Sequence, residues 1–209
     1  MKEALMSRAY SKVEKLEKRQ EILMSAEDLF IKQDGEFPTV SAICTYSSMA
    51  KGTVYLYYKN KEEIYLALLE KYFQQWLDPS NINSDDQSID SVIEALVSFV
   101  IKNPYKFKLL NHRHFLETKA DTQKVVEFYQ NLMGLFGKIT SFIADFLDEP
   151  IEKVSQWLMD SYYYTQGVWR TANPAYNIQA ALAKTEMAIF MPNFEMNTKR
   201  LMKLLWQQS

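Results

Sequence analysis

The chain has 209 residues and a formal net charge of −2, which sizes it for one compact domain or two small ones and leaves no global basic field to attract a polyanion. A hydrophobic content of 47% with 14% aromatics excludes global disorder, and five glycines with six prolines are too few turn residues for an all-β protein of this length. The single cysteine, Cys44, excludes an intramolecular disulfide framework.

The start, MKEALMSRAYSKVEKLEKR, carries charges every few residues and lacks the apolar core of a signal peptide. No apolar run approaches the ~20 residues that cross a bilayer, so a cytoplasmic protein without a membrane partner is expected. From about residue 12 to 33, Leu16, Ile22, Leu23, Ala26, Leu29 and Phe30 recur at helical spacing, and Asp34-Gly35 supplies the helix stop. The run Lys12, Lys15, Lys18 and Arg19 is interleaved with Glu14, Glu17 and Glu21. It reads first as a solvated helix face, and second as a source of phosphate contacts from Lys15, Lys18 or Arg19.

Three short segments follow between Thr39 and Trp76. Thr39, after Pro38, is placed to N-cap a helix whose Val40, Ile43 and Cys44 share one side while Ser41 and Thr45 face away. SSMA (47–50) breaks the pattern. A second short helix then turns Val54 and Tyr58 inward and Gly52, Thr53, Leu56 and Tyr57 outward, with Lys51 and Tyr55 on its flanks. Two short helices, a tight turn and an outer face of hydroxyls, aromatics and lysine make a helix-turn-helix. Hydroxyls and ammonium groups donate to phosphate oxygens, Gly52 permits close approach of the backbone, and Leu56 suits a thymine methyl. Asn60 with Glu63 forms an N-x-x-E cap for the next helix, where Lys61 and the exposed amides suit a phosphate. The DNA-contacting set is therefore Thr39, Lys51, Gly52, Thr53, Tyr55, Leu56, Tyr57 and Lys61. Cys44 reads as a small packing residue.

These residues closely resemble the TetR family of bacterial repressors. The pattern is carried by RQEILMSAEDLF (19–30), Gly35, TVSAIC (39–44) and KGTVYLYYKNKE (51–62), over about 45 residues with matching internal spacing. There are three departures. Ser48 stands where the family has a turn glycine, Ala50 where it has a capping serine, and Tyr58 where it has a core phenylalanine. The resemblance implies an all-α fold: a three-helix helix-turn-helix head over 1–60, and a C-terminal antiparallel helical bundle over 61–209 that senses a ligand and dimerises.

Beyond the head, DPSNINSDDQS (78–88) reads as a linker with no packing face. Helices are expected at about 88–103, 105–117, 121–148, 151–173, 177–190 and 193–207, with prolines near their boundaries. Aromatics crowd 105–169. Their first reading is core and dimer interface. The second, which the resemblance implies, is a cavity for a hydrophobic effector, with Phe107, His112, Phe115, Phe128, Tyr129, Phe136, Tyr162 and Gln166 as candidate lining. Arg113 or Lys106 is available there for a single carboxylate. The resemblance also implies a homodimer joined through 151–173 and 193–207, with Trp157, Trp169, Phe194, Leu201 and Leu205 divided between core and interface. His112 and His114, two apart, point in nearly opposite directions on a helix, so no metal is expected, nor any cofactor.

The reading is a homodimeric DNA-binding regulator, a repressor released from a palindromic operator by a small hydrophobic effector. A constitutive DNA-binding protein without effector and a small helical enzyme are the alternatives. No triad, metal spacing or phosphate loop supports the enzyme.

Overall fold

The computed structural model describes residues 2–207, and in the first helix the side chains from Val13 onward. The side chain of Lys12, part of the basic run, lies outside those described. Every regular element among the described residues is helical. The head is formed by α1 (Lys2–Lys32), α2 (Val40–Ser47) and α3 (Lys51–Tyr55), followed by α4 (Lys61–Trp76). Then come α5 (Ile89–Lys102), α6 (Pro104–Asn111), α7 (Arg113–Lys119), α8 (Thr122–Leu147), α9 (Ile151–Ala172), α10 (Tyr176–Leu182) and α11 (Phe194–Gln207). The chain forms two compact units. One takes the residues up to Tyr72 together with Tyr105–Leu132; the other takes Phe73–Pro104 and the residues from Met133 on.

In the first unit, Ile22, Ala26 and Phe30 are buried at helical spacing along α1, which packs against α2. The helix stops where the residues demand it. Asp34 and Gly35 both take positive φ, and the Gly35 amide closes on the Phe30 carbonyl at 2.7 Å. Gly35 suits this position because its φ is +80°; a Cβ there would also come within 2.5 Å of Cδ of Lys108 and oblige that flexible side chain, whose ammonium donates to the Asp34 carbonyl, to shift. Beneath this turn, Phe37 packs on Phe30, Tyr65, His112 and Phe115, with ring centroids 4.9–6.2 Å apart. A Lys71–Glu27 ion pair at 2.8 Å joins α4 to α1.

The helix expected over 105–117 is two helices. The His112 amide bonds to Leu109 rather than one residue further back, tightening the turn and ending α6. The His112 ring then packs edge-on against Phe37 at 5.2 Å.

The second unit is built on α5, α9 and α11. Val92, Ile93, Leu96, Val97 and Val100 give α5 one apolar face, and α11 packs against both α5 and α9. Trp157 and Trp206 stack with centroids 5.0 Å apart and planes 12° off parallel. The Trp206 indole N–H donates to the Ser161 hydroxyl at 2.9 Å. Trp169 meets Phe194 edge-on at 5.1 Å. Of the five residues assigned jointly to core and interface, Trp157 and Trp169 are thus buried in this unit's own core, while Phe194, Leu201 and Leu205 are half-exposed.

Two boundaries differ from expectation in this unit. The stretch 78–88 does have a packing face: Ile82 is buried, and Gln87 donates to the Phe146 carbonyl. The helix expected over 177–190 breaks into α10 and a 3₁₀ turn at Glu186–Phe190. Between them the Thr185 hydroxyl donates to Leu182 O and accepts from Met187 N, replacing helix bonds with its own.

Ser161→Ala leaves the buried Trp206 N–H without its partner and is expected to lower unfolding free energy by about 1–3 kcal/mol. Urea denaturation monitored by tryptophan fluorescence reads this directly, and an unchanged midpoint contradicts the bond.

Candidate nucleic-acid interface

The helix-turn-helix is assembled by local chemistry. Thr39 sits in extended backbone and its hydroxyl accepts the Ala42 amide at 3.1 Å, capping α2. Val40, Ile43 and Cys44 are buried, while Ser41 and Thr45 face outward. At the other end, Ser48 takes φ 56° and ψ 27° and its amide returns to the Cys44 carbonyl. A serine therefore occupies a left-handed position where glycine carries no steric penalty. Ala50 is the N-cap of α3 and offers no side-chain bond, so the first amides of this five-residue helix are uncapped. α3 is anchored through Val54, fully buried, and Tyr58, which is 3% exposed.

The outer surface follows from that anchoring. Lys51, Gly52, Tyr55 and Leu56 are exposed, Leu56 to 83%, and Thr53 and Tyr57 are half-buried beside them. A Cβ on Gly52 would meet nothing within 4 Å. Gly134, Gly137 and Gly167 are equally open, so it is the place of Gly52 on this outer surface, and not the clearance alone, that sets it apart. Among the described residues the Tyr58 hydroxyl meets no partner in good hydrogen-bond geometry, and the Arg19 guanidinium is the donor that lies near it. Burial pushes its pKa up, opposed by Arg19, whose guanidinium lies 5.7 Å from the ring centroid.

The start of α4 carries a reciprocal cap. Asn60 Oδ1 accepts the Glu63 amide at 2.9 Å, and the Glu63 carboxylate reaches back to the Lys59 amide at 2.8 Å. Lys61 is half-buried, with its ammonium 3.4 Å from the Phe37 carbonyl.

Three contacts of this surface had no local signal in the sequence. Tyr46 links α2 to α1, accepting from Lys32 at 2.8 Å and donating to Asp28 at 3.2 Å. Lys59 pairs with Asp121 at 2.6 Å. That hydrogen bond is the main reason the Lys59 pKa is raised and the Asp121 pKa lowered. Asn60 Nδ2 donates to the Lys119 carbonyl. The partners in the last two lie about sixty residues downstream, beyond the reach of motif spacing.

The candidate effector residues are distributed between the units. Phe107, His112, Phe115, Phe128 and Tyr129 belong to the first, and Phe136, Tyr162 and Gln166 to the second. Phe107 and Phe128 are buried, whereas Phe115 and Tyr129 are 44% exposed. The Tyr129 hydroxyl donates to Glu117, which also pairs with Arg113 at 3.2 Å. The His112 pKa is lowered, by burial first and by Lys108 second. Among the described residues, no group of three or more His, Cys, Asp or Glu is placed to hold a metal ion, and no helix is long and apolar enough to cross a membrane.

Comparison with known proteins assigns both parts of the chain. Residues 22–68 match the family model described as bacterial regulatory proteins, tetR family. Residues 69–207 match the one described as tetracyclin repressor-like, C-terminal domain. Among solved structures, the fold is similar to that of a candidate tetR family transcription regulator from Shewanella sp. PV-4, with a TM-score of 0.51 and 15% identity. That alignment covers 91% of this chain and 96% of the other. No curated protein sequence matches this one.

The cap geometry makes opposite expectations for two substitutions. Ser48→Gly relieves the left-handed strain and is expected to add about 1 kcal/mol, whereas Thr39→Ala removes a cap and costs about 1 kcal/mol. Thermal melts of the two variants check both signs, and a destabilising Ser48→Gly refutes the turn conformation.

Proposed function

From the premise that this chain belongs to the TetR family of transcription regulators, we propose that it is a homodimeric repressor which reads a palindromic operator and is released by a small hydrophobic effector. The reading takes residues 1–60 as the DNA-binding head and 61–209 as the part that senses and dimerises, in the cytoplasm where the operator is. The observation that carries it is the outer face of α3. Lys51, Gly52, Thr53, Tyr55, Leu56 and Tyr57 present an ammonium group, hydroxyls and an apolar tip around an open glycine.

In this mechanism the Gly52 backbone approaches the duplex closely while Lys51, Thr53 and Tyr57 hold phosphates and Leu56 meets base edges in the major groove. Thr39 and Lys61 flank that face. A single head buries too little surface for specific binding, so two are joined by symmetry. Support for α9 and α11 as the dimer elements comes from large side chains they leave exposed: Tyr163 at 60% and Tyr164 at 44% on α9, and Leu204 at 45% on α11. The effector reading rests on Phe107, His112, Phe115, Phe128, Tyr129, Phe136, Tyr162 and Gln166. A neutral His112 and a Lys106 whose pKa burial lowers fit an apolar molecule with few polar groups better than a polyanion.

Fluorescence anisotropy on a duplex selected from a random-sequence pool tests the DNA face. Thr53→Ala, Tyr57→Phe and Lys61→Ala are each expected to weaken binding by about 1–3 kcal/mol. Gly52→Ala is expected to weaken binding while preserving or slightly raising the melting temperature, since alanine is the better helix former. Unchanged affinity in all four variants refutes the assignment.

Light scattering is expected to give a dimer at micromolar concentration. Thermal-shift screening should return hydrophobic hits that also compete with the duplex; hits confined to sugars or nucleotides refute the effector class.

A further inference from the structure

An open cleft of about 540 Å³ lies beside the recognition segment, lined by Lys15, Leu16 and Arg19 of α1, Leu56 and Tyr57, and Lys124 of α8. Three cations from two helices widely separated in sequence therefore converge on one space. Its rim includes the two residues that follow α3.

The balance of charge in this cleft is uneven. Among the described residues, Lys15 and Arg19 form no ion pair, and Arg19 lies over the Tyr58 ring. Lys124 is bonded to the carboxylate of Glu127 at 2.7 Å, one helical turn along, and Asp121, itself held by Lys59, also lies within its field. Glu127 also feels Arg19, and its pKa is lowered chiefly by the bond to Lys124. Two carboxylates, one of them held by Lys59, thus stand against three cations. The Lys124 and Glu127 side chains keep 40% and 45% of their surface exposed, so an arriving anion can compete for the ammonium without unfolding anything.

We propose that Lys124 is a DNA-backbone contact supplied by α8, completing with Lys15 and Arg19 a phosphate-binding cleft next to the recognition helix. This rests on the reading of the protein as a DNA-binding regulator. The partner is the phosphodiester backbone rather than a free small anion. The cleft is open, and one wall is Leu56 and Tyr57, so whatever fills it lies alongside the molecule that α3 reads. Leu16 and Leu56 supply apolar surface suited to deoxyribose. Glu127 acts as the resident counterion that the phosphate displaces. A phosphate contact of this kind carries no sequence information, so it adds affinity for any duplex while α3 supplies discrimination.

The test measures affinity against salt concentration for the full chain, on the selected duplex and on a mixed-sequence duplex. Lys124→Ala is expected to weaken both by the same factor, about three- to tenfold, and to reduce the salt slope by about one per head. Lys124→Arg is expected to retain binding. Glu127→Gln is expected to tighten it two- to threefold, about the effect of freeing one surface charge. Melting temperatures within a degree or two of wild type exclude a folding defect.

If Gly52→Ala weakens binding while Lys124→Ala leaves the salt slope unchanged, the inference fails and the helix-turn-helix reading survives. If the wild-type chain binds neither duplex, both fail. A third outcome also overturns the inference: inorganic phosphate at constant ionic strength raises the melting temperature of wild type but not of Lys124→Ala, with DNA affinity unmoved. That result makes the cleft a site for a free anion.

Discussion

The buried carboxyl group of Glu63 is the constraint on which the first unit turns. It is 3% exposed, and a carboxyl group withdrawn from water is tolerated only when it is hydrogen-bonded. One oxygen, Oε2, accepts the Lys59 amide, while Oε1 is buried without a hydrogen-bond partner among the described residues, and the Glu63 amide is taken by Asn60 Oδ1. These two bonds fix the direction in which the chain leaves Tyr57 and Tyr58 and enters α4. The same two residues reach outward: Lys59 pairs with Asp121, and Asn60 donates to the Lys119 carbonyl. Five consecutive residues therefore define where α3 ends, where α4 begins, and how both are held to the turn between α7 and α8.

That arrangement means the helix-turn-helix head does not pack on its own residues alone. Phe37, just past the end of α1, touches Phe30 and Tyr65, but also His112 and Phe115. A histidine can stand among these rings because its surroundings favour the neutral imidazole, through burial and the nearby Lys108. Lys108 holds the turn at Asp34. The stretch from Tyr105 to Leu132 is packed into the same compact unit as the head, whereas the family models divide the chain at 68 and 69. Continuity of sequence and continuity of packing divide the molecule in different places.

What was legible in the sequence was short-range. The Thr39 cap, the Asn60–Glu63 cap, the stop at Asp34-Gly35 and the inward Val54 and Tyr58 all depend on residues within four or five positions of one another, where spacing and side-chain chemistry suffice. The oddity of Ser48 was also visible as a departure from a glycine, and its backbone is left-handed. The misses had the opposite character. Helix 105–117 broke at His112 because a ring packs on Phe37, seventy-odd residues earlier. Ile82 is buried in a stretch whose polar composition hides its role. Trp157 was ambiguous between core and interface until Trp206 appeared against its face, since helical periodicity identifies an apolar side but not its neighbour. Tyr46 carried no pattern at all; its two bonds to α1 come from tertiary placement.

The turn at Gly35 has a consequence for how this sequence can vary. A side chain there meets the positive φ and the stem of Lys108, and only the second can move aside, being the end of a flexible side chain. Shortening Lys108 clears the space but leaves the backbone angle in place, so no substitution at 108 rescues position 35. The tolerance of the site is set by the backbone: the residues best suited to replace the glycine are those that accept a left-handed angle, as Asp34 does beside it.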